Sequence, residues 1–586
     1  MPVALELGAR NLEHRAHTPE HGENPPASLK GSASALHFLF PAFCFLLFLA
    51  LGAHQLSLPG LHYDEAKEAG LNAMQLLTGQ PVTAFREAAI ALGPWRLPLM
   101  VQDYIGALNV YLAVPFLALG GVNACALRWL PLLTGGLTLL LTGRVARMLG
   151  GPLAAYVATL LLAVNPTFVF WSRQGIFVTN LSALFLVASL LTGLRWWRWR
   201  RPADLYRTAL FWGLGLYAKL LFLWGIGAMV VVAGVAWLGY FFPFRAVRAA
   251  RRQPPGATKW RSALLTVLWL LFPLLPMFIF NLQTGGTLAS VLNHLGQSYY
   301  GVDNRAYLPN LAVRLGQLLP LLRGDHFWYL GGIFANAWAL YLAAGTLLLG
   351  VGLGLRMRRW AHLLPVALLG LIVAQSALTV SGLFITHYAL AMPLIPLTVG
   401  LVVGAAFRLE TGRLRWARGV LLGLVVLLWA GGDLWTTLRY HRALARTGGH
   451  AAHSSAIYDL AAYLEENAIG PVVALDWGIS APVQFLTAGR VAPVEVFGYE
   501  RLDRPDTDFP ARVRPFLQDP ATLYVAHTPE DTVFRGRVEV LEALVAERGA
   551  RLEEVGRIAE RSLRPLFIVY RIVSAQASFP LHKDGP

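Results

Sequence analysis

The stretch FWGLGLYAKLLFLWGIG, Phe211–Gly227, decides the fold. It is apolar except for Lys219, and it lies between two basic clusters, RWWRWRRPADLYR (Arg195–Arg207) and RAVRAARRQPPGATKWR (Arg245–Arg261). Two apolar runs, 206–222 and 224–242, fill the interval. Each is close to the ~20 residues that a helix needs to cross hydrocarbon. Arginine and lysine collect on the cytoplasmic side of membranes. The stretch therefore reads as a helical hairpin that leaves the cytoplasm and returns, with Lys219 near its outer tip. An ionisable side chain so placed is a functional candidate, unless it only snorkels to the headgroups.

The same pattern recurs along the chain. Further apolar runs lie at 36–53, 104–121, 128–148, 152–171, 176–194, 262–282, 331–355, 361–381, 386–407 and 416–436. Of the 586 residues 56% are hydrophobic and only 14% are charged. Mean hydropathy is +0.51. That composition excludes an ordinary soluble protein. The net charge of +16 arises from arginines clustered between apolar runs, RMRR (Arg356–Arg359) and RLETGRLRWAR (Arg408–Arg418) among them. It is a membrane-sidedness signal, not a nucleic-acid footprint. The two cysteines, Cys44 and Cys125, both fall in apolar segments and supply no disulfide framework. Residues 1–34 read as a disordered cytoplasmic tail. The first apolar run lacks a small-x-small cleavage site and is read as a retained helix.

Parity fixes the sides. With the tail inside, 54–103 faces outward, and so does Arg173, one span before the Arg195–Arg207 cluster. Three apolar segments lie between them, and an odd number cannot return to the same side. We take 104–121, YIGALNVYLAVPFLALGG, as re-entrant or interfacial, because it is short and contains Asn109 and Pro115. The expected total is about 11 spans. Loop 283–330 and everything after 436 then face outward. The region 35–440 forms the membrane domain. After residue 445 a helix (IYDLAAYLEEN), short strands (GPVVALDWG, ATLYVAHT, PLFIVYRIV) and a further helix (RVEVLEALVAERG) alternate, which predicts a small α/β domain over 445–575, followed by a tail, 576–586.

Candidate chemistry gathers on the outward face. In GLHYDEAKEAG, Gly60–Gly70, Asp64 and Glu65 follow the first span. Asp64 can be read as the N-cap of a helix over 65–78, with Glu65 and Glu68 at its positive end. A carboxylate held in that way also suits a general base. Arg173 in FWSRQGIFVTN, and His387 with Tyr388 in THYALAMPLIP, lie on the same side, as do Arg96, Asp103 and Tyr104 of the first loop. For Arg173 and Tyr388 the plain alternative is an interfacial anchor. NHLGQSYYGVDNRAY adds Asn293, His294, Tyr299, Tyr300 and Asp303 in a second loop that is either a ligand cover or a lid on the bundle. Carboxylates together with cations suit group transfer from a lipid phosphate. The phosphate leaves without needing a general acid, and cations in a partly dehydrated site stabilise the charge that it takes.

This set of motifs resembles the GT-C membrane glycosyltransferases of the family 39 kind, which include protein O-mannosyltransferases and the lipid A aminoarabinose transferase. The resemblance covers about 36–440 and rests on HYDEAKEAG, VNACALRWLPLLTGG with Arg128, WSRQGIF, GLGLYAKLL and HYALAMP, in that order. It implies a GT-C type polytopic helical protein of the cell (inner) membrane, with the N-terminus cytoplasmic and the C-terminal domain extracytoplasmic. It implies Asp64 as the base and Glu65 as a residue that orients Asp64 or the acceptor. Lys219, Arg173 and His387, with Tyr388, Arg96 and Asp103, become candidates for binding the donor phosphate. The partners implied are a polyprenyl-phosphate sugar donor, a protein, lipid or glycan acceptor, and membrane lipids, with no nucleic acid. Relatives often carry an acidic residue shortly after the Ser-Arg pair, where it helps to hold a divalent metal. Here the residues are Val178, Thr179 and Asn180. Mg or Mn is thus the one cofactor left open, with Asp64 as its candidate ligand. Two other readings compete: a flippase for lipid-linked precursors, and a receptor that acts through Asp476-Trp477-Gly478. The first usually shows internal repeats and charges at mid-membrane depth, neither of which is present.

Overall fold

The computed structural model describes residues 27–174, 179–241, 260–296, 301–356, 360–378, 384–408, 413–499 and 501–574. Among the described residues each apolar run contains helix. Helix α1 (Ala27–Ala53) starts within the stretch read as a tail, of which 1–26 lie outside the described residues. A short helix α2 (Tyr63–Glu65), a π turn (Ala66–Gly70) and α3 (Leu71–Thr78) follow, and then α4 (Leu108–Gly120), α5 (Ala124–Gly150), α6 (Pro152–Val164) and α7 (Pro166–Gln174). Helices α8 (Thr179–Trp199), α9 (Pro202–Ala218), α10 (Leu223–Phe241), α11 (Trp260–Leu271) and α12 (Leu275–Thr284) come next. The chain continues through α13 (Gly286–Asn293), α14 (Tyr307–Arg323), α15 (Ala337–Arg356), α16 (Trp360–Ser376), α17 (Leu394–Arg408) and α18 (Arg413–Thr447). Six helical segments among the described residues are long and apolar enough to cross a bilayer, seven if α6 and α7 count as one span. The protein is thus a multi-pass helical membrane protein.

The structure differs from the sequence expectation in two segments, 152–171 and 283–330. The run 152–171 is not one straight helix: α6 and α7 meet at an angle of 62°. The break falls at Asn165-Pro166, where proline bars the preceding residue from helical conformation. Segment 104–121 contains only the 13-residue α4, shorter than a crossing requires. Loop 283–330 is largely helical, carrying α13 and α14.

The segment Ile385–Arg408, which ends in α17, is the centre of the bundle: 94% of its most apolar stretch is buried, against 17% for the segment Trp260–Thr284. The outer helices turn Val235, Trp237, Leu264 and Leu268 outward. Such a surface suits hydrocarbon and is unfavourable in water. Small residues draw α17 onto α6, so closely that a Cβ at Gly400 would lie 2.3 Å from the Ala154 carbonyl oxygen.

The first loop carries two hairpins, β1 (Ala89–Leu92) with β2 (Trp95–Pro98) and β3 (Met100–Gln102) with β4 (Ile105–Gly106). After α18 come α19 (Ala456–Asn467), α20 (Ser480–Leu486), α21 (Phe509–Val513) and α22 (Arg537–Ala546) around a five-stranded sheet. Its strands are β5 (Val472–Ala474), β6 (Val494–Glu495), β7 (Leu523–His527), β8 (Ala550–Ala559) and β9 (Pro565–Ser574), in the order β6-β5-β7-β9-β8. Strand β5 pairs in parallel with β6 and β7, while β9 runs antiparallel to both of its neighbours. The sheet domain does not hang free. Leu61, Tyr63, Ala66 and Ala73 of the first loop share one apolar core with Ile457, Leu460, Phe485 and Val525. That shared core fixes the loop carrying Asp64 against a rigid support.

Candidate active site

The helix that carries Asp64 starts two residues earlier than expected. Its N-cap is His62, not Asp64: the His62 ring accepts from the Asp64 N–H at 3.2 Å, and Glu65 returns a bond to the His62 N–H at 3.3 Å. Asp64 therefore sits in the first turn, where the helix end favours a carboxylate. Its own oxygen lies 3.7 Å from the His62 ring. The π turn at Ala66–Gly70 widens the helix just after the carboxylates, a distortion frequent at functional sites.

Glu65 is held rather than presented. Arg128 grips both of its oxygens at 2.8 Å and is completely buried. The remaining guanidinium hydrogens go to the carbonyls of Leu56, Pro59 and Gly60 at 2.8–3.1 Å. All five donors of Arg128 are thereby used, and the chain from the end of α1 to the start of α2 is closed around them. On the opposite helix face Tyr63 donates to Glu495 at 2.8 Å and accepts from Lys67 at 3.0 Å, which ties the helix to the sheet domain. His62 stacks on His453, and His453 stacks on Tyr329.

Lys219 lies where α9 stops. Its backbone is extended (φ −161°, ψ 132°), between Ala218 and a 3-10 turn, Leu220–Phe222. The β3–β4 hairpin docks there: Leu220 N–H donates to the Tyr104 carbonyl at 3.0 Å, and the Tyr217 hydroxyl donates to Leu99 at 2.8 Å. Gly106 allows this approach, since a Cβ there would lie 2.2 Å from the Tyr217 carbonyl oxygen. The result brings Lys219, buried to 2% exposure, within electrostatic reach of Asp64 and of Glu68. Glu68 is also buried. One of its oxygens accepts from Gln102 at 3.2 Å, and the other has no hydrogen-bond partner. Burial and the Asp64 charge push the Glu68 carboxyl up to about 8, against the opposing pull of Lys219 and Lys67.

A second cation group lies behind Lys219. His387 and Tyr388 are buried in a 3-10 turn, Ile385–Leu390, and do not open α17 as the sequence suggested. His387 lies within electrostatic reach of Lys219 and Arg314. Arg314, on α14, was not among the sequence candidates. It is fully buried, bonded through Nε to Ser376 and through Nη1 to Gln317 and Phe384, and packed over the rings of Trp224 and Tyr388. Its Nη2 has no partner. Only the packing of α14 against α16 and the 385–390 turn buries it.

The other candidates are placed elsewhere. Arg173 is fully buried and braces the end of α1, donating to the carbonyls of His54 and Gln55 at 2.6 and 2.5 Å, with His441 at 3.5 Å. Arg96 is exposed on β2 and donates to the Glu87 carbonyl. Asp103 pairs with Arg86 at 2.7 Å. Asn180 donates to the Trp171 carbonyl, while Val178, Tyr299 and Tyr300 lie outside the described residues. His294 and Asp303 bond within their own loop, to Ser290 and Arg305. Asp476 is an internal tie: it accepts from His527, Thr532, Trp477, Val533 and Phe534 at 2.8–3.0 Å. Among the described residues no three His, Cys, Asp or Glu side chains converge as a metal site. Around Asp64 lie the His62 ring, the Glu68 carboxyl and the Lys219 ammonium.

Residues 108–250 match the sequence model of the family described as dolichyl-phosphate-mannose-protein mannosyltransferase. No curated protein matches the chain by sequence. Among solved structures, ArnT from Cupriavidus metallidurans in the apo state superposes with a TM-score of 0.58 at 14% identity, over 92% of this chain and 98% of that one. The same protein bound to undecaprenyl phosphate gives 0.57 at 13% identity, with the same coverage. The oligosaccharyltransferase AglB from Archaeoglobus fulgidus, in complex with an inhibitory peptide and a dolichol-phosphate, gives 0.53 at 13%, over 94% of this chain and 75% of that one. The chain has the GT-C fold.

Proposed function

We propose that this protein is a membrane glycosyltransferase that moves a sugar from a polyprenyl-phosphate carrier to an acceptor hydroxyl, with inversion at the anomeric carbon. The supporting observation is the buried grouping of Asp64 with Lys219, backed by His387 and Arg314, in a fold shared with structures that hold polyprenyl or dolichol phosphate. The reading adopts about 11 spans with α4 as an incomplete one, and it places the site and the sheet domain on the extracytoplasmic side of the cell membrane.

The acceptor hydroxyl gives its proton to Asp64 as its oxygen attacks C1 of the sugar. The C1–O bond to phosphate breaks, and its electron pair leaves with the lipid phosphate. That phosphate gains negative charge in a site from which water is largely excluded, where fixed cations are most effective. Lys219 is near enough to Asp64 to serve both sides of the reaction. Arg314 keeps an unpartnered N–H for a phosphate oxygen, and His387 flanks both cations. Lysine and arginine neutralise the phosphate in this scheme, so it requires no metal. Glu65 contributes indirectly: bound to Arg128, it sets the pitch of the helix that aims Asp64. Arg173 braces the end of α1 and is assigned no contact with phosphate.

Purified protein in lipid nanodiscs, supplied with polyprenyl-phosphate sugars, tests the reading. Wild type releases polyprenyl phosphate when acceptor is present, and Asp64→Asn folds but does not. Turnover by Asp64→Asn equal to wild type would refute Asp64 as the base.

A further inference from the structure

We propose that Glu68 is a positioning residue of the transfer site: the second carboxyl of a pair in which Glu68 carries the proton and Asp64 carries the charge. The inference rests on the reading of Asp64 as the base.

Asp64 and Glu68 are four residues apart on one helical stretch, and so share a face. Glu68 is 1% exposed, and nothing bonds its Oε2. Among the described residues no arginine grips it, in contrast to Glu65. The charged groups that face it are few. Its own helix supplies Asp64 and Lys67, and the break after α9 supplies Lys219. Strand β3 supplies the neutral amide of Gln102; α4, which also packs on the π turn, supplies the Tyr111 phenol, whose hydroxyl is spent on the Pro98 carbonyl, and α20 carries no titratable side chain. Lys67 is already engaged by Tyr63. One lysine is then left to serve two buried carboxyls, and two adjacent carboxylates sharing a site tend to hold one proton between them.

Which member holds the proton follows from placement. Asp64 lies in the first turn, near the backbone N–H groups of a helix start, and keeps some exposure. Glu68 lies deeper, away from that stabilisation. Its upward shift to about 8, caused first by burial and then by Asp64, agrees. A protonated Glu68 leaves the Lys219 charge committed to Asp64 and to the incoming phosphate. An ionised Glu68 would compete for Lys219 and repel the donor.

The test uses the full-length protein in nanodiscs. The infrared difference between about pH 6 and about pH 10 should show loss of the carbonyl stretch of a buried protonated carboxyl. That signal should be absent in Glu68→Gln. In Asp64→Asn its midpoint should move to lower pH, because the neighbouring negative charge that opposes ionisation is gone. Glu68→Gln, whose amide imitates the neutral acid, should keep transfer at neutral pH within a few-fold. Glu68→Ala should lose about ten- to a hundredfold in kcat/KM, as when outer residues that orient metal ligands are removed. A band that persists in Glu68→Gln, a midpoint unmoved in Asp64→Asn, or a glutamine variant as inactive as the alanine variant would each overturn the proposal. The infrared arms report on Glu68 whether or not sugar transfer is observed, so failure of this inference and failure of the transferase reading are distinguishable.

Discussion

Replacing Glu65 by glutamine separates a structural carboxylate from a catalytic one. Glutamine keeps an oxygen for the His62 N–H and for one guanidinium hydrogen. It places an amide N–H₂ against the other, where Arg128 Nε now donates at 2.8 Å to Glu65 Oε2. One charge-assisted bond is lost, and the fully buried Arg128 keeps its charge with no counter-ion. Breaking one side of a buried pair in this way costs about 3–5 kcal/mol. Arg128→Met should cost more, since it also strands the carbonyls of Leu56, Pro59 and Gly60, at about 1–3 kcal/mol for each that finds no water. The double variant should lose clearly less than the sum of the two, because the charge-stranding cost is counted in both single variants. Thermal unfolding in nanodiscs, followed by tryptophan fluorescence, measures all three. If Glu65→Gln abolishes transfer while its unfolding midpoint stays at the wild-type value, Glu65 acts on substrate and the bracing role is wrong.

Three further outcomes follow. Lys219→Ala and Arg314→Ala should each raise the donor KM by at least roughly tenfold and leave the acceptor KM little changed, since a hydrogen bond to a charged group contributes about 1.5–3 kcal/mol; steady-state kinetics with each substrate varied decides it, and equal loss on both sides would mark either residue as structural. Arg96→Ala should leave both KM values and the unfolding midpoint unchanged within error, because its side chain is exposed and bonds to the Glu87 carbonyl in the turn before β1; a donor-specific defect would restore it to the site. Burial pushes the Asp476 carboxyl up, but hydrogen bonds from His527 and from the Phe534 and Val533 N–H groups outweigh it and hold the carboxyl below the usual range. Its stabilisation of the sheet domain is therefore present above about pH 4 and lost as pH falls through the lower folded value, and Asp476→Asn should flatten that acid dependence of unfolding.

The bundle could be read from sequence because hydrocarbon imposes length and composition on every helix that crosses it. The apolar runs and the alternation after residue 445 follow from that and from strand periodicity. Breaks inside runs were harder. Asn165-Pro166 was a visible signal, yet hydropathy passes through it unchanged. Asp64 and Lys219 were identifiable because a charge beside or within an apolar stretch has few plain explanations. Glu68 was visible four residues from Asp64, but its helix-end reading was sufficient until burial was known. Arg314 was not legible at all, since its meaning comes from contacts with Trp224, Ser376 and Tyr388, far away in the chain. Arg173 is the converse case. It stands where a phosphate ligand is expected from the Ser-Arg motif, and only the fold shows that its Nη2 is spent on the end of α1 while its Nε has no partner.

The measurement that bears most directly on the central claim is a structure of the wild-type protein in lipid with a non-transferable polyprenyl-phosphate sugar bound. The account predicts phosphate oxygens within hydrogen-bond distance of Lys219 and Arg314, with the sugar's C1 beside Asp64. Phosphate held instead by Arg173, with Lys219 and Arg314 out of reach, would contradict it.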